Sequence, residues 1–215
     1  MARLTTQQIR EAGLSDWRML NRALHTRFRT GDFVSGLRLV TSITELAERA
    51  NHHPDVTLGY PHVDLRLVSH DVGAVTQRDV DLAREISRVA REQGVAAQPE
   101  AVAQVEVGLD TADAAVQTPF WAALLRGDPD AVTDGEVVDP GGQLPTLWFQ
   151  GTDRHETPRQ RFHLDVWVPH DVAEERIAAA VAAGGRVVDD SRAPSFTVLT
   201  DPEGNRACVC TFLDG

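Results

Sequence analysis

The chain has 215 residues, 42% hydrophobic and 25% charged, with a formal net charge of −11, which fits an ordinary soluble globular protein long enough for two domains and excludes a disordered or fibrous one. No run of roughly 18 apolar residues occurs, and the start MARLTTQQIREAG has no apolar signal segment, so neither a membrane span nor export is expected and a cytoplasmic protein is. Residues 1–94 hold 13 Arg against 12 acidic residues and the remainder 8 Arg against 20, an acidic half whose field repels phosphate backbones and argues against a nucleic-acid partner.

Along the chain, Thr5 or Thr6 can cap a short helix through Ala12 that Gly13 ends, and WRMLNRALHTRFRT reads as two short strands. From Asp32, the positions Phe33, Leu37, Val40, Ile43, Leu46, Ala47 and Ala50 recur at helical spacing, giving an amphipathic helix that must end before Pro54. DVTLGY and HVDLRLVSH follow as a hairpin turning at Tyr60-Pro61-His62. Thr76 with Asp79 three residues on is a capping-box-like start, and Leu82, Ala83, Ile86, Val89 and Ala90 form the stripe of a helix that runs to Gly94.

Four of the eight histidines, His52, His53, His62 and His70, fall in or beside this hairpin. Residues equidistant from a turn lie side by side in an antiparallel pair, so His52 and His53 are expected to approach His70, whereas His62 sits at the turn, roughly 26 Å of strand away at about 3.3 Å per residue. Strand alternation places Val63, Leu65 and Leu67 on one side and Asp64, Arg66, Val68 and His70 on the other. Converging imidazoles allow three readings. Zinc is disfavoured because adjacent His52 and His53 project differently and no HExxH pattern accompanies them. The rings can also serve structure, His52 filling a helix end and His70 bonding a loop. Proton transfer is the third, since an imidazole pair can hold an acid and a base together near neutral pH.

The stretch ELAERANHHPDVTLGYPHVDLRLVSHDVGAVTQRDVDLAREI resembles the pterin-4a-carbinolamine dehydratase family, also called 4a-hydroxytetrahydrobiopterin dehydratase. Ala47-Glu48, His52-His53-Pro54, Tyr60, His70, Gly73, Thr76, Asp79 and Leu82-Ala83 match its signature in order and spacing, and Trp17 and Asp32-Phe33 extend the likeness to roughly residues 5–94. Ser69 stands where the family usually has threonine, and Ala74 replaces the second glycine of a common pair, which could alter a turn lining the pterin pocket. The resemblance implies dehydration of a 4a-hydroxytetrahydropterin to the quinonoid dihydropterin by acid-base chemistry, with no cofactor and no metal. By position, His52, His53 and His70 would be the catalytic group, with Glu48 and Asp79 as substrate-binding or supporting polar residues. For Asp79 helix capping is an equal alternative, while Tyr60 and Trp17 are expected to pack rather than to stack on the pterin ring. A homo-oligomer is implied as well. Dehydratase relatives can also act as dimerisation partners, which leaves a non-catalytic binding or regulatory protein as the rival.

In the second half, VEVGLDTADAAVQTPFWAALLRGDP reads as a strand and a helix ending near Gly127, followed by the strand LPTLWFQ. RFHLDVWVPHDVAEERIAAAVAAGGRVV repeats the strand-helix order about 60 residues on, before two strands around DPEGN. This duplication resembles the glyoxalase-like branch of the vicinal-oxygen-chelate superfamily. Of that superfamily's metal ligands, His163 occupies one position, Cys208 stands where a glutamate is common, and only Gln104 is offered by the first module, so a binding or structural domain is expected rather than a metalloenzyme. His155 and His170 read as solvated residues. Cys208 and Cys210, side by side on one strand face, read as reduced thiols.

The expected architecture is therefore α+β: residues 1–96 as an antiparallel sheet with helices on one face, and residues 101–215 as paired βαβββ modules.

Overall fold

The computed structural model describes residues 2–20, 22–102, 106–154, 164–167, 173–211 and 213. Contacts divide the chain into two compact units, residues 1–104 and 105–215.

The first unit begins with helix α1 (Thr6–Glu11), whose Thr5 and Gln8 form a reciprocal capping box. Strands β1 (Arg18–Leu20) and β2 (Ala23–Arg29) pair antiparallel, and helix α2 (Phe33–Ala50) starts at Asp32, whose carboxylate accepts from the Ser35 amide. Strands β3 (Asp55–Leu58) and β4 (His62–Leu67) make the expected hairpin, with Asp55 opposite Arg66 and Leu58 opposite Val63. Helix α3 (Gln77–Glu92) opens on Thr76, and the two-residue strand β5 (Ala96–Ala97) closes the unit against β2. The sheet order is β1-β2-β4-β3, with β5 beside β1 on the same edge of β2.

One sheet face carries Leu24, Phe28, Val63, Leu65 and Leu67, and it meets Leu39, Ile43 and Leu46 of α2 and Leu82, Ala83 and Ile86 of α3 in one core. Each of the larger buried side chains, the valine, leucines, isoleucines and phenylalanine, contributes about 1.5–3 kcal/mol relative to exposure. Trp17 is buried too: it meets Phe28 edge-on at 6.4 Å and donates its indole N–H to Ser87 Oγ at 3.0 Å. Tyr60 differs from expectation, standing 72% exposed at the hairpin turn rather than packing. The α2 stripe differs as well. Its buried positions are Gly36, Leu39, Ile43, Leu46 and Ala47, while Phe33 and Leu37 are 52% and 53% exposed. Ile43, Leu46 and Ala47 of the expected stripe are buried and Val40 packs against the core, so the departure lies at the start of the helix, where Gly36 and Leu39 face inward in place of Phe33 and Leu37.

The opposite sheet face carries charged pairs. Arg27 grips Asp64 through two bonds of 2.6 and 2.7 Å, and Arg66 reaches Asp55 at 2.7 Å. His25 lies between Arg18 and Arg66 in the cross-strand row.

The second unit contains β6 (Glu106–Thr111), α4 (Ala114–Arg126) and β7 (Thr146–Gly151), with β6 and β7 parallel. Between α4 and β7 the described pairing is limited to isolated bridges, Thr133 to Glu136 and Val137 to Leu147. The following module is fuller: β8 (Leu164–Trp167), α5 (Ala173–Ala182), β9 (Arg186–Asp189), β10 (Phe196–Thr200) and β11 (Arg206–Cys210) form a sheet of order β8-β11-β10-β9. Phe120 and Leu124 of α4 share a core with Leu147, Leu199, Ala207 and Val209. The chain thus has the expected mixed α and β architecture, an antiparallel sheet with helices followed by a second region of strands and two helices. Among the described residues, no helix is long and apolar enough to cross a membrane.

Candidate active site

The site begins where α2 stops. Asn51 caps the helix in the left-handed conformation, φ 47° and ψ 44°, and its amide donates to the carbonyls of Ala47 and Glu48. Asparagine is one of the few residues besides glycine that enters this region readily. The turn swings His52 and His53 off the helix end, and the His52 amide still donates to Ala47 O at 3.1 Å.

His52 is buried, at 6% exposure, with Nε2 2.7 Å from Asp79 Oδ1. Asp79 is fully buried and serves two purposes at once. Its Oδ2 accepts from the Thr76 amide at 2.7 Å, which completes the capping box of α3, and from Ser69 Oγ at 2.7 Å. One carboxylate therefore joins the end of α2, the segment after β4 and the start of α3. With Nε2 donating to Asp79, the nitrogen of His52 left to take or give a proton is Nδ1. Burying a carboxylate demands such a set of donors, because unpaired it would cost several kcal/mol.

His53 is exposed, and its Nε2 lies 3.1 Å from Glu48 Oε1 one turn back on α2. An exposed pair of this kind stabilises by about 0–1 kcal/mol. His70 is exposed on the turn Ser69–Ala74, which is closed by Ser69 N to Ala74 O at 3.2 Å and Gly73 N to Ser69 O at 2.9 Å. Gly73 takes the positive φ of this turn, +64°. Among the described residues only Asn51 and Asp134 have positive φ without being glycine, so Ala74 keeps an ordinary backbone and replaces glycine without strain. Ser69 likewise keeps the hydroxyl that the usual threonine would supply. Beside His70, Asp71 is ion-paired with Arg78, and that hydrogen bond holds the Asp71 carboxyl below the usual carboxylate range.

A surface cavity of about 380 Å³ is lined by His52, Leu46, Leu82, Arg78, Asp81 and Glu85, among others, within the size range of small-molecule pockets. Of the three expected catalytic histidines only His52 borders it, and among the described residues no hydrogen bond joins one imidazole to another. Continued past its ends, the hairpin register sets His52 against Ser69, not His70. Val68 is buried where alternation had it facing outward, because the strand ends at Leu67. Ser69 as a partner of Asp79, and Arg78 and Asp71, are not among the expected site residues. The signal was available in Arg78 standing directly before Asp79 in the first turn of α3.

Gln104, His155, His163 and His170, considered above for the second half, lie outside the described residues. Cys208 and Cys210 are free, and Cys208 faces Asp165 across the β8–β11 pair. Burial first, and a hydrogen bond with Asp165 second, push the Cys208 thiol up to about 11, so the thiol is protonated at neutral pH and unreactive as a nucleophile.

Comparison with known proteins separates the two halves. Residues 2–89 match the family described as pterin 4 alpha carbinolamine dehydratase, and residues 106–210 match a glyoxalase-like domain. A protein of Acidobacterium capsulatum is 40% identical over 88 residues, covering 40% of this chain and 96% of that one. One of Thermosynechococcus vestitus is 38% identical over 79 residues, covering 37% and 83%. Both carry the name "Putative pterin-4-alpha-carbinolamine dehydratase". A crystal structure of a transcriptional coactivator/pterin dehydratase from Brucella melitensis is 30% identical, with a TM-score of 0.40, over 41% of this chain and 99% of that one. A glyoxalase/bleomycin resistance protein from Albidiferax ferrireducens T118 is 19% identical, with a TM-score of 0.40, over 50% and 97%. Through its first domain, the chain belongs to the pterin-4-alpha-carbinolamine dehydratase family, and a glyoxalase-like domain follows it.

Proposed function

We propose that the first domain dehydrates a 4a-hydroxytetrahydropterin to the quinonoid dihydropterin. A proton goes to the 4a-hydroxyl, the C4a–O bond breaks and water leaves, N5 gives up its proton, and a C4a–N5 double bond forms. Protons balance within the step, so the protein needs only an acid and a base held apart at the ring. His52 and His70 take these proton-transfer roles in this reading, and His53, backed by Glu48, orients the pterin. Asp79 is assigned to holding His52 rather than to touching substrate, since it is fully buried with both oxygens occupied.

The observation that carries the reading is the buried His52–Asp79 pair at 2.7 Å. A carboxylate that fixes one ring nitrogen leaves the other oriented for proton transfer, an arrangement a mere scaffold does not require. The test is turnover of freshly generated 4a-hydroxytetrahydropterin by the purified chain and by His52→Ala combined with His70→Ala. Loss of the enzyme-dependent rate in the double variant is expected, and an unchanged rate removes the assignment.

The same reading includes a cytoplasmic homo-oligomer. The two free thiols support a reducing location, and the exposed Phe33, Val34 and Leu37 on α2 support association of copies. The second domain takes a binding or structural role.

A further inference from the structure

His70 sits between two residues that are both fastened to the first turn of α3. Ser69 before it donates to Asp79 at 2.7 Å, and Asp71 after it is ion-paired with Arg78. The two anchors, Arg78 and Asp79, are consecutive, and Asp79 also grips His52. One helical turn therefore reaches both imidazoles assigned to proton transfer, His52 directly and His70 through its neighbours. The Arg78 side chain is folded back rather than splayed into solvent: it is 30% exposed, and its Nε is buried without a hydrogen-bond partner, so its grip on the turn comes through Nη2 on Asp71. Without that grip, the outer half of the Ser69–Ala74 turn is held by the amides of Val72 and Gly73 on the Ser69 carbonyl.

We propose that Arg78 is a positioning residue for the dehydration, acting through Asp71 to hold the turn that presents His70. This rests on the dehydratase reading above. A carboxylate-guanidinium pair suits the task because its planar geometry fixes direction as well as distance. Arg78 also lines the cavity beside His52, so direct contact with substrate is the competing role, and the experiment separates the two.

Arg78→Gln, Asp71→Asn, the double variant and Asp71→Glu are compared by steady-state kinetics on a 4a-hydroxytetrahydropterin and by amide hydrogen exchange at Val72 and Gly73. If Arg78 works through Asp71, either single variant lowers kcat by about 10- to 100-fold, as expected for a displaced catalytic group. KM changes little, the double variant is no worse than either single one, and Asp71→Glu recovers most of the rate. A wild-type kcat in Asp71→Asn, or a raised KM confined to Arg78→Gln, overturns the proposal in favour of substrate contact. The exchange measurement needs no turnover: faster exchange in both single variants supports the strap, and unchanged protection refutes it. A wild-type chain without turnover would reject the dehydratase reading, with the exchange result still deciding whether the strap exists.

Discussion

Asp79 shows how one side chain can carry two jobs, capping a helix and holding an imidazole. The two jobs would compete only if the carboxylate had a single useful direction. Here Oδ2 faces the helix amide and Ser69 while Oδ1 faces His52. Asp79→Asn replaces one acceptor by a donor, so either His52 or the Thr76 amide loses its partner. The expected result is a fall in kcat of roughly 100-fold, in line with loss of an orienting partner, and a stability loss of about 2 kcal/mol, read from turnover and a urea melt. His25 makes a separate prediction. Burial, then the nearby Arg66, lower its pKa from 6.5 to about 4, against the opposing pull of Asp55 and Asp64, and its Nε2 is buried without a partner. A histidine depressed in the folded state binds fewer protons there than when unfolded. Its share of stability is therefore full above pH 6.5 and is lost as pH falls toward 4. His25→Gln should flatten the melting temperature across that window, and an unaltered slope would show that other groups set it.

At the level of elements, the hairpin and both long helices were legible because their signals are local: a capping residue, a period, a turn. What was not legible was which residues at the start of α2 are buried. Phe33 and Leu37 satisfied the helical period as well as Leu39 and Ile43 did, and only the sheet decides between them. Close approaches of elements are another tertiary property. A Cβ added to Gly185 would lie 2.1 Å from Phe120 Cε2, so the turn after α5 touches α4 only because residue 185 has no side chain. Gly185→Ala should cost about 1–3 kcal/mol as an overpacked contact, measurable as a lower denaturation midpoint of the second domain. An unchanged midpoint would mean that Phe120 has room to move.

For the whole molecule, the exposed apolar residues of α2 bear on assembly. Phe33, Val34 and Leu37 lie on one stretch of helix at 52%, 67% and 53% exposure, and such a face is stable in water when another surface covers it. Leu37→Asp places a charge there without disturbing the buried stripe. Analytical ultracentrifugation is expected to show a smaller species than the unaltered chain, and equal masses for the two would remove α2 from any interface. The acidic second half has a more limited meaning. Its field bears on partners and solubility, while its architecture follows from alternating strands and from the helix pair α4 and α5.

The amino-acid order alone determined the helices and the hairpin of the first domain, the family signature and the group of candidate residues, because capping, periodicity and motif spacing are properties of neighbours in the chain. It could not determine how the histidines divide. His52 went under the helix end to Asp79, His53 stayed outside with Glu48, and His70 rode on a turn tied to α3. Those outcomes depend on where α2, β4 and α3 meet, and that meeting is settled by packing among residues far apart in sequence.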